Sequence, residues 1–204
     1  MTLHVYAVAT LVAVVLTSTV QDRPVEDIAR SVVDPGAYVD AGQGAQLIPM
    51  KESLPEGVDY KKSSTPEPLW LRLRGQRAAM RTGPQPTFYL NKIEATRVGK
   101  PGAYSFSATL HTAEVQGDQR RVQWGTFAVD RSGRSSAKPG AQTVDVTIQK
   151  INDDLFRLKP DAPLPAGEYV ILPARARAEV GVFLVVEGRY TAKTPVYEFG
   201  VDSQ

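Results

Sequence analysis

From Leu69 to Val201 the chain repeats one pattern: short runs of alternating apolar and polar residues, punctuated by turn formers. A period of two puts successive side chains on opposite faces of an extended strand, so such a chain must build sheets and cover their apolar faces. The clearest run is "LWLRLR", with Leu69, Leu71 and Leu73 on one face and Trp70, Arg72 and Arg74 on the other. "PTFYLNKIEATRV", "YSFSATL", "RRVQWGTFAV", "TVDVTIQKI", "DLFRLK", "EYVIL", "VGVFLVV" and "VYEFGV" read as further strands, rich in β-branched and aromatic residues. Turns are expected at Gly99-Lys100-Pro101-Gly102, Gln116-Gly117-Asp118 and Asn152-Asp153-Asp154. Residues 130–142, "DRSGRSSAKPGAQ", read as a flexible, basic, exposed loop. Many short strands and no long helix predict an all-β fold, an immunoglobulin-like antiparallel sandwich over residues 69–204.

The front of the chain carries a different signal. Residues 22–33 predict a short helix, because Val25, Ile28, Ala29, Val32 and Val33 recur at helical spacing after Asp22-x-Pro24. Asp34-Pro35-Gly36 ends it, and "AYVDAGQGAQLIPM" predicts a β-hairpin turning near residues 40–44. Helix and hairpin together form a front segment, residues 22–60. Residues 51–68 are polar and proline-rich and read as a loop into the main body. Before all of this, residues 3–21 carry no charge and hold an apolar run from Val5 to Leu16. That length suits a signal-peptide core better than a membrane span, so residues 1–21 are expected to be a signal peptide or an N-terminal anchor. The expected address is secreted or periplasmic, with no membrane span in the mature chain.

The stretch "PDAPLPAGEYVIL", residues 160–172, packs prolines before a strand. Pro163 and Pro165 cannot donate to a sheet ladder, so the chain is expected to cross between sheets here. Gly167 is expected to take a backbone conformation closed to other residues. Tyr169 would then form a structural corner, its hydroxyl bonding back to the crossover as in the tyrosine corner of immunoglobulin-like sandwiches.

Four segments carry a wider resemblance: "PGAYVD", "RAAMRTGPQPTFYL", "FRLKPDAPLPAGEYVIL" and "YEFGVD". Across residues 34–202 the chain resembles a group of uncharacterised secreted bacterial β-sandwich proteins. These share a proline-glycine-tyrosine hairpin, an Arg-x-x-x-Arg…Pro-x-Phe-Tyr segment and a terminal Tyr-x-Phe-Gly-Val-Asp strand. The resemblance implies a sandwich fold and a place outside the cytoplasm, and it carries over no activity, ligand or functional residue. Residues 173–195 depart from the group's pattern and look like an added hairpin.

Chemistry is sparsely encoded. The absence of cysteine removes disulfides, thiol nucleophiles, thiolate zinc sites and Fe–S clusters. Of two histidines, His4 lies in the expected signal and His111 reads as a surface or turn residue rather than a catalytic base. No multi-histidine metal set, nucleophile elbow or phosphate loop occurs, so no cofactor, metal or catalytic residue is assigned. Twenty-four Lys+Arg against 22 Asp+Glu give a net charge of +2, too balanced to suggest a nucleic-acid partner. Carboxylate pairs stay open, because a hydrolase acting on carbohydrates or similar substrates needs only two. Asp59, Asp153 and Asp154 are expected to bond the backbone of turns. The binding surface expected from sequence is Trp70, Arg72, Arg74, Arg77 and Arg81, with Trp124 and Tyr89 either extending the aromatic platform or lying in the core. An aromatic ring among guanidinium groups suits an anionic glycan, a polyanion or an acidic protein face, and an envelope protein or glycan is the expected partner. A non-enzymatic binding or interaction module is the expected function, and a carboxylate-dependent hydrolase the alternative.

Overall fold

The computed structural model describes residues 24–40, 47–59, 61, 63–92, 96–97, 104–105, 108–129, 135–139, 143–173, 184–186, 189–191 and 195–203. The expected signal segment and the turn at residues 99–102 lie outside these. A helix, α1 (Val25–Ser31), is followed by β1 (Gly36–Asp40), β2 (Ile48–Pro49), β3 (Glu52–Ser53), β4 (Gly57–Asp59), β5 (Glu67–Arg74) and β6 (Arg81–Thr82). Next come β7 (Thr87–Asn91), β8 (Thr96–Arg97), β9 (Tyr104–Ser105), β10 (Ala108–Gln116), β11 (Gln119–Val129) and β12 (Ser135–Pro139). The chain continues through β13 (Thr143–Val144), β14 (Val146–Lys150), β15 (Leu155–Pro160) and β16 (Gly167–Pro173). It ends with β17 (Leu184–Val186), β18 (Arg189–Thr191) and β19 (Val196–Val201). The protein is nearly all β and sandwich-like. Among the described residues no helix is long and apolar enough to cross a membrane.

A five-stranded sheet runs β14-β15-β7-β1-β2. A larger sheet runs β17-β18-β4-β5-β11-β10-β16-β19-β3, with β12, β13 and β6 joined to its sides. The pairings are antiparallel except that of β6 with β19. The long strand β10 belongs to both halves of the large sheet: Ala108–Ala113 pair with β16, and Glu114–Gln116 pair with β11. Between them the sheet folds over, giving three stacked layers.

Alternation in single strands shows why. On β16, Tyr169 and Ile171 face the five-stranded sheet and pack with Phe88, Leu90 and Leu158. Val170 and Leu172 face the other way and meet Leu69, Leu71, Leu73 and Val122 of β5 and β11. The middle layer is therefore buried on both faces, and "EYVIL" is apolar without a polar break except at Glu168. Each fully buried Phe, Leu or Ile contributes roughly 1.5–3 kcal/mol, so both interfaces are needed to hold the stack. On the free side of the five-stranded sheet, α1 lays Ile28 and Val32 on Tyr89 and Leu155.

The helix is shorter than expected, and Val33 is exposed because the chain leaves helical geometry at Val32. β1 pairs with β2 as the hairpin reading requires, and it also pairs along its full length with β7. The front segment thus shares its sheet and core with the main body. Asn91 fastens the join, its buried amide donating to the Asp34 carbonyl at 2.9 Å. Two expected loops contain strands. Residues 51–68 hold β3 and β4, which border β19 and β5, and residues 130–142 hold β12, which pairs with β11 from Gly125 to Val129. β3 and β12 are short, polar edge strands, and β4 is a three-residue strand between β18 and β5, so composition alone marked these stretches as loop. Within residues 173–195, β17 and β18 form an antiparallel hairpin docked on β4.

The proline-rich stretch crosses between sheets. Leu164 is buried, and its N–H donates to the Pro84 carbonyl at 2.7 Å. Tyr169 donates its hydroxyl to the Pro165 carbonyl at 2.8 Å while its ring stacks on Phe199. Gly167 departs from expectation: its φ is not left-handed, and a Cβ there would meet the Tyr169 ring at ordinary contact, 3.6 Å. Neither the backbone conformation nor lack of space therefore requires glycine at this position. Replacing Tyr169 by Phe removes one hydrogen bond and keeps the packing. We expect a loss of about 1 kcal/mol, read as a lower urea midpoint with an unchanged slope.

Candidate functional site

On the outward face of the third layer, β5 alternates as its sequence predicts, with Leu69, Leu71 and Leu73 inward and Trp70, Arg72 and Arg74 outward. β11 runs beside it, placing Gln123 opposite Trp70 and Arg121 opposite Arg72. The Arg121 guanidinium lies over the Trp70 ring, 4.7 Å from its centroid. Each guanidinium also has a carboxylate. Arg72 Nε lies 3.1 Å from Asp59, Arg74 Nε 3.4 Å from Glu56, and Arg121 Nη2 3.9 Å from Glu114. Asp59 sits on β4 opposite Trp70 rather than in a turn. Gly57 leaves room for Arg72, whose guanidinium occupies the space a Cβ would take. The face is an aromatic ring within a mixed-charge ladder.

Arg77 and Arg81 are not part of it. Gly75, at φ +74°, turns the chain out of β5, and β6 then pairs with the middle layer, opposite Gly200 and Val201. There Arg77 and Arg81 share Asp202, at 2.7 and 2.8 Å, and Arg81 also donates to Glu168. The Arg81 guanidinium, with Arg77 beside it, holds the Asp202 carboxyl below its usual range. The chain of charges continues inward. Glu168 accepts the Ala78 N–H at 2.6 Å and faces Arg120, which also pairs with Glu198. Arg120 donates as well to the carbonyls of Arg74, at 2.8 Å, and Gly75, at 2.9 Å. Glu168 and Glu198 therefore converge on one buried cation, an arrangement that ties layers together rather than leaving a free acid–base pair.

His111 is buried, not at the surface. It lies opposite Val170, on the middle layer's second face, with Nε2 2.8 Å from Thr109 Oγ1. Burial lowers its pKa to about 4, against a smaller opposing effect of the Gln123 backbone. The imidazole is neutral at pH 7. Tyr89 lies in the core under α1, and half-buried Trp124 packs against the inner core, so neither extends the Trp70 face. Asp153 accepts from Lys150 at 2.7 Å, and the turn's backbone is held instead by Asn152 Oδ1, which accepts the N–H groups of Asp154 and Leu155.

A second surface was missed by the sequence reading. On the outward face of β14 and β15, beyond α1, an open depression of about 280 Å³ is lined by Thr147, Gln149, Arg157, Lys159, Pro160 and Asp161. The alternation of "FRLK" around inward Leu158 marks Arg157 and Lys159 as outward, but only the strand register brings Gln149 and Thr147 opposite them. Among the described residues no group of three or more His, Asp or Glu is placed to hold a metal ion. The chain matches no protein-family model, no curated protein and no solved structure.

Proposed function

We propose that the protein is an exported binding module of the cell envelope that acts without catalysis, and that its contact surface is the outward face of β4, β5 and β11. The observation that carries this reading is the Arg121–Trp70 stack within a ladder of paired charges. Aromatic and arginine side chains on a flat sheet face are the groups that dominate binding energy at interfaces. Because every guanidinium there already has a carboxylate, the face favours a partner offering both donors and acceptors, a protein or a glycan, over a bare polyanion. The apolar N-terminal run and the resemblance to secreted bacterial sandwich proteins support the address.

The test is thermal unfolding of the protein with panels of glycans, polyanions and divalent cations, followed by cross-linking in envelope extracts. A ligand at about 100 times its dissociation constant stabilises the fold by roughly 2.7 kcal/mol. Trp70→Ala is expected to abolish that shift or the cross-link while leaving the unliganded transition within about 1 kcal/mol. A partner captured equally well by Trp70→Ala overturns the assignment of this face.

A further inference from the structure

We propose that the depression on β14 and β15 binds a single carboxylate-bearing sugar unit, such as an exposed uronate of an acidic glycan. Antiparallel register sets Thr147 opposite Lys159 and Gln149 opposite Arg157, so four polar side chains form a compact square on one face. Val146, Ile148 and Leu158 take the opposite face and anchor it to the core. Two internal bonds fix which atoms the ligand meets. Arg157 Nη2 donates to Gln149 Oε1 at 2.6 Å, which leaves the Gln149 amide NH2 as a donor. Thr147 donates to Asp161 Oδ1 at 2.7 Å, which leaves Oδ2 as an acceptor. Among the described residues Lys159 forms no ion pair, and its side chain is exposed.

The lining therefore offers the exposed Lys159 ammonium, with Arg157 beside it, an amide donor and one carboxylate acceptor. A ligand carboxylate pairs with Lys159, and a neighbouring hydroxyl donates to Asp161. A dianionic phosphate suits the site less well, because its second negative charge is repelled by the Asp161 carboxylate. A neutral sugar leaves Lys159 without a counter-charge. Size agrees: about 280 Å³ lies just below the ~300–1,000 Å³ of pockets for drug-sized molecules, which leaves room for one ring. This surface is separate from the Trp70 face and does not depend on it.

Glucuronate, glucose and inorganic phosphate, each titrated into the isotope-labelled protein and followed by amide chemical shifts, test the proposal. Glucuronate is expected to bind saturably with a dissociation constant on the order of 1 mM, with shifts centred on β14 and β15. Lys159→Met is expected to weaken it about tenfold, Lys159→Arg to retain it, and added salt to weaken it. Trp70→Ala should leave it unchanged, which separates this site from the module reading. Equal binding of glucose or phosphate, shifts centred elsewhere, or an unaffected Lys159→Met overturns the proposal.

Discussion

Replacing Arg120 by Ala is expected to destabilise the protein by about 3–5 kcal/mol, the largest effect of any single charge removal in this fold. Arg120 is nearly inaccessible, with 3% of its side chain exposed, and it serves four acceptors from three strands and a turn. Its loss leaves Glu198 without its cation, removes one of two cations from Glu168, and orphans the Arg74 and Gly75 carbonyls at the turn out of β5. A carboxylate left buried without a partner costs several kcal/mol, whereas the intact pair does little more than offset its own desolvation. The two halves of that statement separate experimentally. Arg120→Ala should lower the melting temperature by on the order of 10 °C. Arg120→Met combined with Glu198→Leu should recover much of the loss, because no unpaired charge remains. Arg120→Lys should not restore it, since an ammonium cannot reproduce the fork that reaches both carbonyls and both carboxylates. A loss under about 1 kcal/mol for Arg120→Ala would show that the network is solvated and structurally idle.

The same network shows what was legible beforehand. The alternation of β5 predicted the side of every residue from Leu69 to Arg74, because one of its faces meets solvent and the other the core. Arg77 and Arg81 read as a continuation of that face, but a left-handed glycine at 75 redirects the chain and carries both to the middle layer, where they meet Asp202. Glu168 was the available clue, a lone charge in an otherwise apolar strand, which demands a buried partner that local sequence does not name. His111 was misplaced for a related reason. Counting by twos from Leu110 puts it on the polar side of β10, and in a two-layer sandwich that side is wet. Here a third layer covers it, and whether a sheet face is covered depends on residues far away in sequence. The Thr147, Gln149, Arg157 and Lys159 square had the same limit: its faces followed from alternation, and its adjacency only from register.

The buried imidazole also predicts how stability varies with pH. In the unfolded chain a histidine titrates near 6.5, and in the folded protein His111 titrates at about 4. Between these values the unfolded state binds the extra proton and the folded state does not, so unfolding takes up a proton and acid favours it. His111 therefore costs nothing at pH 7, and a penalty of about 3 kcal/mol accumulates as pH falls from 6.5 towards 4, then levels off. The carboxyls with depressed pKa values, Asp202 and Asp153, act in a lower window: their contribution is present above the ordinary value of 3.8 and is lost as pH falls below it. The interval from 6.5 to 4 thus isolates the histidine from both. In His111→Gln the amide can still bond Thr109 and has no proton to gain. Urea unfolding at pH 7 and at pH 4.5 should show the wild-type protein losing about 2–3 kcal/mol more than the variant over that interval. If the two lose stability in parallel, the imidazole is protonated in place or reached by water, and the third layer does not seal that face of β10.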